Sequence, residues 1–184
     1  MSAETLLAII GLALILPAIS LYNRIVAARN LARQAYADID VQLKRRAELV
    51  PQLVEAVRAY APHEKRALLA AVTELLRAAA LDAKRSEERF AHERGLSERL
   101  KELVLLQESI PQLKADASFR KLVAQLVEIE DHLQFARRYY NGAVQLYLTR
   151  IKSFPDSVVA KLFFFRPMPF FEADTRGTTR TLTP

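Results

Sequence analysis

Residues 5–23 contain no charged side chain, and inside that run Leu6-Leu7-Ala8-Ile9-Ile10 and Leu12-Ala13-Leu14-Ile15-Leu16 form two blocks of apolar residues. A helix rises 1.5 Å per residue, so crossing the hydrocarbon core of a bilayer takes about 20 residues, and a run of this length predicts one transmembrane helix. Pro17 would bend such a helix without forbidding it. A cleaved signal peptide normally carries a basic region ahead of its apolar one, whereas here only Ser2, Ala3 and Glu4 precede the run. Arg24, Arg29 and Arg33 come directly after the run, and cationic residues close to a span tend to stay on the cytoplasmic side. The expected topology is therefore a single pass of a membrane with the N-terminus outside and the remainder cytoplasmic. Tyr22 stands at the polar boundary, where aromatic rings anchor to the interface.

The rest of the chain favours helices. Glycine occurs only four times, and residues such as Ala, Leu, Glu, Lys and Arg dominate without strand-like clusters between turns. Apolar residues make up 51% and charged residues 26%, enough to bury one core but too many charges for further spans. The absence of cysteine excludes disulfides and thiolate chemistry. The expected class is all-α: a transmembrane helix continuing into an antiparallel three- or four-helix bundle of long helices. The expected division is 1–22 anchor, 23–155 bundle, and 156–184 a short helix followed by an aromatic, irregular tail.

Apolar residues at Ile25, Ala32, Ala35, Ile39, Leu43, Ala47, Val50, Leu53 or Val54, and Val57 step by threes and fours, which marks one buried helical face. Pro51 should bend this helix or begin a new one, and Pro62 should end it. A second helix is expected over 63–94, with a charged centre and a stop at Gly95. A third would begin after Ser97 as N-cap and run over 98–108, closed by Pro111. Phe119, Leu122, Leu126, Ile129, Leu133, Ala136, Tyr140, Ala143, Tyr147, Ile151 and Phe154 then describe one long helix with a coiled-coil-like seam. A short helix over 157–162 follows Pro155.

Little in the chain points to catalysis. His63-Glu64 is followed by Lys65-Arg66-Ala67 rather than by the second histidine of a zinc-protease motif, and Ile129 stands three residues before His132 where a di-iron bundle would carry Glu. His63, His92 and His132 read as solvated helix-surface residues. Asp40 and Lys44 lie four apart and read as a surface ion pair beside Asp38. The four glycines are isolated, so no loop can cradle a phosphate. No cofactor or metal is expected. Lys44-Arg45-Arg46 and Arg137-Arg138 are short basic runs that read first as solvated helix faces; as contacts for an anion they suit lipid headgroups better than nucleic acid, given the anchor. Five aromatic rings lie between residues 163 and 171, at Phe163, Phe164, Phe165, Phe170 and Phe171, broken by Pro167 and Pro169. They cannot form one buried helix, so they either fold back on the bundle or dock into a partner or the membrane interface.

Several stretches in order resemble the LemA family of bacterial membrane-anchored proteins: Tyr22-Asn23, Arg29-Asn30, Asp38-Ile39-Asp40-Val41-Gln42-Leu43-Lys44-Arg45-Arg46, Leu49-Val50-Pro51-Gln52-Leu53-Val54-Glu55, Tyr60-Ala61, His63-Glu64, Ile110-Pro111-Gln112-Leu113-Lys114-Ala115, Arg137-Arg138-Tyr139-Tyr140-Asn141, Phe154-Pro155 and Pro169-Phe170-Phe171-Glu172. The resemblance covers 6–172 and implies a transmembrane helix in a bacterial inner membrane followed by a helical bundle, without implying an activity. The chain departs from the family where it places Phe164 at a position that usually holds a small residue, often Gly. It also carries Tyr36 where a Trp or similar residue is common, and has Thr178-Thr179-Arg180-Thr181-Leu182-Thr183-Pro184 in place of the family's usual hydrophobic ending. The expected function is a non-catalytic membrane-anchored scaffold that binds a membrane protein partner or a second copy of itself through Phe163, Phe164, Phe165, Phe170, Phe171, Lys44, Arg45 and Arg46. A regulator of envelope signalling or proteolysis acting through an enzymatic partner is the alternative.

Overall fold

A computed structural model describes residues 3–60, 66–81 and 87–171, with side chains described for all of these except 3, 5–12, 14, 81 and 87. The regular elements are all helical: α1 (Ala3–Tyr60), α2 (Arg66–Leu81), α3 (Glu87–Leu105), a single 3-10 turn (Leu106–Glu108), α4 (Pro111–Ala115), α5 (Ala117–Lys152) and α6 (Asp156–Leu162).

α1 does not break at either proline. Pro51 removes one backbone bond and crowds the preceding turn, at about 3 kcal/mol in a helix interior. Its own ring is exposed, however, while Leu49, Val50, Leu53 and Val54 around it are buried. Each fully buried aliphatic side chain contributes roughly 1.5–3 kcal/mol, so burial on both sides of Pro51 outweighs the local penalty. The single helix expected over 63–94 is instead two, and the proposed start at His63-Glu64, the Pro62 stop and the charged stretch 82–86 lie outside the described residues. α3 runs through Gly95, because Leu96, Leu100 and Leu103 continue its buried face. Ser97 is accordingly inside α3 and does not cap a separate helix. Pro111 opens α4 rather than closing a helix; at the first helical position its missing amide costs nothing.

α5 carries the seam read from the sequence from Phe119 to Ile151, but the helix ends at Lys152 and Phe154 is 84% exposed, because Pro155 disfavours helical backbone at the residue before it, which removes Phe154 from the seam. The start of α5 has a cap that periodicity alone does not reveal. The Asp116 carboxylate accepts hydrogen bonds from the backbone amides of Ser118 and Phe119 at 2.7 and 3.1 Å. These bonds, the one from Phe119 foremost, hold the Asp116 carboxyl below its ordinary range against the opposing effect of desolvation.

The chain forms two compact units. The described part of unit 1 is 3–36 with 139–170; that of unit 2 is 37–60, 66–81, 87–138 and Phe171. In unit 1 the buried stripe of α1 is Ile25, Ala28, Ala32 and Ala35, mostly small, and that of α5 is Tyr140, Ala143, Val144 and Tyr147, with Val159 and Ala160 from α6. The Tyr36 and Tyr140 rings meet edge to face at 5.8 Å. After α6 the chain is irregular and is held by two phenols: Tyr147 donates to the carbonyl of Arg166, and Tyr140 to that of Pro169, each at 2.7 Å. Burial raises the Tyr147 pKa against the opposing charges of Arg29 and Arg33, so the phenol stays protonated as a donor.

Unit 2 is a helical bundle around one core. Val50, Leu53 and Val57 from α1, Leu69 and Val72 from α2, Leu96, Leu100 and Leu103 from α3, and Phe119 and Leu126 from α5 form one cluster, closed at the end by Leu113 of α4. Within it α1 and α5 are antiparallel, since Tyr60 bonds to Asp116 while Arg46 bonds to Glu130. Among the described residues no helix is long and apolar enough to cross a membrane. Within the run 5–23, side chains are described at 13 and 15–23 and not at 5–12 and 14.

Candidate functional site

The most concentrated polar arrangement in unit 2 is built on Arg46. The buried residues Ile39, Leu43, Arg46, Val50, Leu53 and Val57 step by threes and fours, so Arg46 occupies the core stripe of α1. On α3 the stripe Phe90, Glu93, Ser97 and Leu100 places one carboxylate and one hydroxyl on the inward face. Arg46 is 1% exposed. Its Nη1 donates to Ser97 Oγ at 2.6 Å and to Glu130 Oε1 at 2.7 Å, and its Nη2 donates to Glu93 Oε2 and to the Glu93 carbonyl. Ser97 Oγ accepts from Arg46 and has one proton to share between the Glu93 carbonyl at 3.2 Å and Glu130 Oε2 at 3.0 Å. One guanidinium thus fastens α1 to α3 and α5.

A second layer flanks this cluster. Asp40 pairs with Lys44 at 3.0 Å, as the i,i+4 spacing suggests, and also with Arg89 at 3.0 Å. Burial would raise the Asp40 carboxyl, but the hydrogen bonds and charges of Lys44 and Arg89 hold it below its usual value. A cavity of about 330 Å³ opens beside these groups, lined by Asp40, Arg46, Arg89 and Glu93 with Leu76 and Leu96. Arg137 places its guanidinium carbon 4.5 Å from the centroid of the buried Phe171 ring, which also stacks on Phe90 at 4.2 Å. Its Nε and Nη2 are shielded and have no hydrogen-bond partner among the described residues. Burial first, then repulsion from Arg46, outweighs the attraction of Glu130 and Glu93 and pushes its pKa down to about 10.

The residues expected as contacts differ in exposure. Lys44 and Arg45 are exposed, but Arg46 is not, which corrects its reading as a surface contact. The basic run is three residues long and a helix turns about 100° per residue, so its third member rotates onto the core stripe. Phe171 is buried in unit 2, whereas Phe170 is 38% exposed. In unit 1 Phe163 and Phe165 lie 4.8 and 5.7 Å from the Tyr22 ring, and Arg29 stands 5.8 Å over Phe165. Phe164 is 85% exposed.

Phe164 is also the described non-glycine residue with a positive φ, 54°. The cause is a helix ending. The amide of Phe163 bonds to the Val159 carbonyl, that of Phe164 to Lys161 and that of Phe165 to Ala160, the paired bonds of a Schellman ending whose left-handed position falls on Phe164. That position favours glycine, in keeping with the small residue usual there in the resembling sequences.

The carboxylates nearest to one another are held by arginines, so the cluster acts as a lock on helix register. His132 lies 3.8 Å from Glu128 on the outside of α5, His92 is half-buried with Nδ1 shielded and unbonded, and His63 lies outside the described residues. A groove of about 430 Å³ runs between α3 and α5, lined by Leu100, Val104, Leu105, Leu126 and Val127, with Leu105 66% and Val127 50% exposed. Sequence reasoning missed the lock because it favoured Ala47 over Arg46 for the buried step. The signal was an Arg and a Glu each falling on a three-four stripe.

Two curated relatives match part of the chain, magnetosome proteins MamQ 1 and MamQ 2 of Paramagnetospirillum magneticum (strain ATCC 700264 / AMB-1), each 27% identical over 90 residues. That match covers 49% of this chain and 33% of each relative, so the chain spans about a third of the length of the curated relatives it matches. The model of the LemA family matches residues 35–182, which takes in the Arg46 lock, the whole of α5 and the aromatic run after α6. The chain belongs to the LemA family.

Proposed function

We propose that the chain is a non-catalytic, membrane-anchored helical interaction protein. The observation that carries this reading is the continuity of α1, one helix from Ala3 to Tyr60, so that the uncharged run 5–23 and the first helix of unit 2 belong to a single element. Residues 5–23 hold the bilayer, Arg24, Arg29 and Arg33 keep the following residues on the cytoplasmic side, and the groove between α3 and α5 receives a membrane protein partner or a second copy of the chain. The Arg46 lock supports a binding role over a catalytic one, because paired, hydrogen-bonded carboxylates are poorly placed to exchange protons.

Two measurements test this. Alkaline extraction of membranes from expressing cells should leave the chain in the pellet, and a variant with Ile9→Asp and Ile10→Asp should release it. The chain has no cysteine, so Val127→Cys offers one site for a cross-linker on intact membranes. A single adduct of fixed size that Leu105→Glu abolishes is the expected result. Extraction of the unaltered chain by alkali, or a chain that forms no adduct and runs as a monomer in mild detergent, would defeat the reading.

A further inference from the structure

We infer that α6 and the ending that follows it form an interfacial foot, embedded in the headgroup region of an anionic bilayer. The inference rests on the membrane-anchored reading and extends it to a second, non-spanning contact. Val158 and Leu162 lie four residues apart and so share one side of α6, at 59% and 69% exposed, and Phe154, in the turn that leads into the helix, is 84% exposed. Phe163 and Phe164 extend that apolar surface past the helix end, at 55% and 85% exposed. A surface this apolar on so short a helix leaves several large side chains in water unless something covers them.

What covers them follows from position and charge, both within unit 1. The Phe163 ring packs on Tyr22 at 4.8 Å, and Tyr22 lies at the end of the uncharged run, where a spanning helix of about 20 residues meets the headgroups. The end of α6 is thus fixed at the depth of the membrane surface. The described residues of unit 1 hold seven Arg and Lys (Arg24, Arg29, Arg33, Arg150, Lys152, Lys161, Arg166) against two carboxylates, Glu4 and Asp156. Asp156 is buried and paired with Arg150 at 3.4 Å. Lys161 and Arg166 are exposed next to the apolar side chains, which is the mixture that seats a helix in an anionic interface, with its apolar side roughly 5–10 Å into the headgroup boundary. The ending adds an independent argument. A bulky ring occupies the left-handed position that glycine fills at least cost, and it faces outward. Local strain retained at an exposed residue points to a contact made there.

The chain contains no tryptophan, so Phe164→Trp and, separately, Ile10→Trp each place one fluorophore in the full chain. Both are reconstituted into vesicles of phosphatidylcholine and phosphatidylglycerol, with and without bromine on the acyl chains. The expected result is blue-shifted emission from both variants and loss of about half of the Phe164→Trp signal in brominated vesicles. Quenching of Ile10→Trp alone, with water-like emission from Phe164→Trp, overturns the foot and leaves the anchor standing. Failure of Ile10→Trp to be quenched removes the anchored reading and the foot with it. Blue-shifted Phe164→Trp emission that bromine does not quench and that weakens on dilution of the protein assigns the rings to a second copy and overturns the inference. Leu162→Trp repeats each comparison from the helix itself should Phe164→Trp not fold.

Discussion

Replacing Arg46 with Met keeps the length and apolar stem of the side chain but removes the group to which two carboxylates are fastened. Glu93 and Glu130 have side chains only 5% and 16% exposed, and their partner at Arg46 is itself 1% exposed. Breaking a buried pair by deleting one member costs about 3–5 kcal/mol, most of it the burden of a stranded charge. That is a large part of the 5–15 kcal/mol typical of a whole domain. The stranded carboxylates of Arg46→Met should bind protons more readily, with folded pKa values above the unfolded value of about 4.3. A carboxyl raised in this way contributes its full stability below the unfolded pKa and loses it as pH rises through the folded pKa. The deficit of the variant should therefore be largest near pH 7 and narrow at about pH 5. Urea unfolding of the full chain in detergent, followed by far-UV circular dichroism at both pH values, measures this. A second variant, R46M/E93L/E130L/S97A, should recover most of the loss, because buried ion clusters can be replaced by apolar side chains of similar volume. A deficit under about 1 kcal/mol for R46M, or one unchanged between the two pH values, would refute the assignment of the cluster as a lock.

Other substitutions separate the neighbouring features. Arg137→Met should be neutral within about 1 kcal/mol or stabilising in the same urea assay, since it removes two shielded, unbonded N–H groups and retains contact with Phe171. Asp40→Asn should lower the midpoint of thermal unfolding at pH 7 by the equivalent of about 1 kcal/mol. The Asp40 carboxyl is held below its ordinary value of 3.8, so its contribution is present above that value and lost as pH falls through the folded pKa; the two melting curves should converge as the pH is taken below 3.8. Phe164→Gly should stabilise the chain by about 1 kcal/mol in detergent by relieving the left-handed residue, read as a higher melting temperature. Gly95→Ala should add about 0.5–1 kcal/mol of helix propensity to α3, since a methyl there meets only the Leu75 side chain at 3.5 Å.

The long helices were legible because their periodicity is strong: the seam from Phe119 through Tyr140 to Tyr147 is buried in the structure largely as its three-four spacing dictates. Helix boundaries were less legible, and for a physical reason. Pro51 and Gly95 weaken a helix locally, but the burial of Val50 and Leu53 around one, and of Leu96 and Leu100 around the other, exceeds the local penalty and is a tertiary quantity that no short window contains. The same holds for the lock. Arg46 beside Lys44 and Arg45 reads as part of a solvated patch, and only the pairing of its helix with α3 brings Glu93 and Ser97 within reach. In the aromatic run, the two prolines correctly forbade a continuous helix. The division of its rings, with Phe171 stacked on Phe90 and Phe164 outward, depends on a helix ending that the sequence signals weakly, because it lacks the usual glycine.

The two phenols that hold the irregular segment sit at 140 and 147, seven residues apart on α5, close to two full turns. Their carbonyl acceptors at 169 and 166 belong to a proline-containing stretch that has few amides of its own. Helix and segment therefore share a fixed gauge. An insertion or deletion of one residue between 140 and 147 would swing one phenol about 100° away from its carbonyl and undo the match. Length variation among descendants of this chain should accordingly be confined to other places, with residues 141–146 the stretch least able to gain or lose a residue.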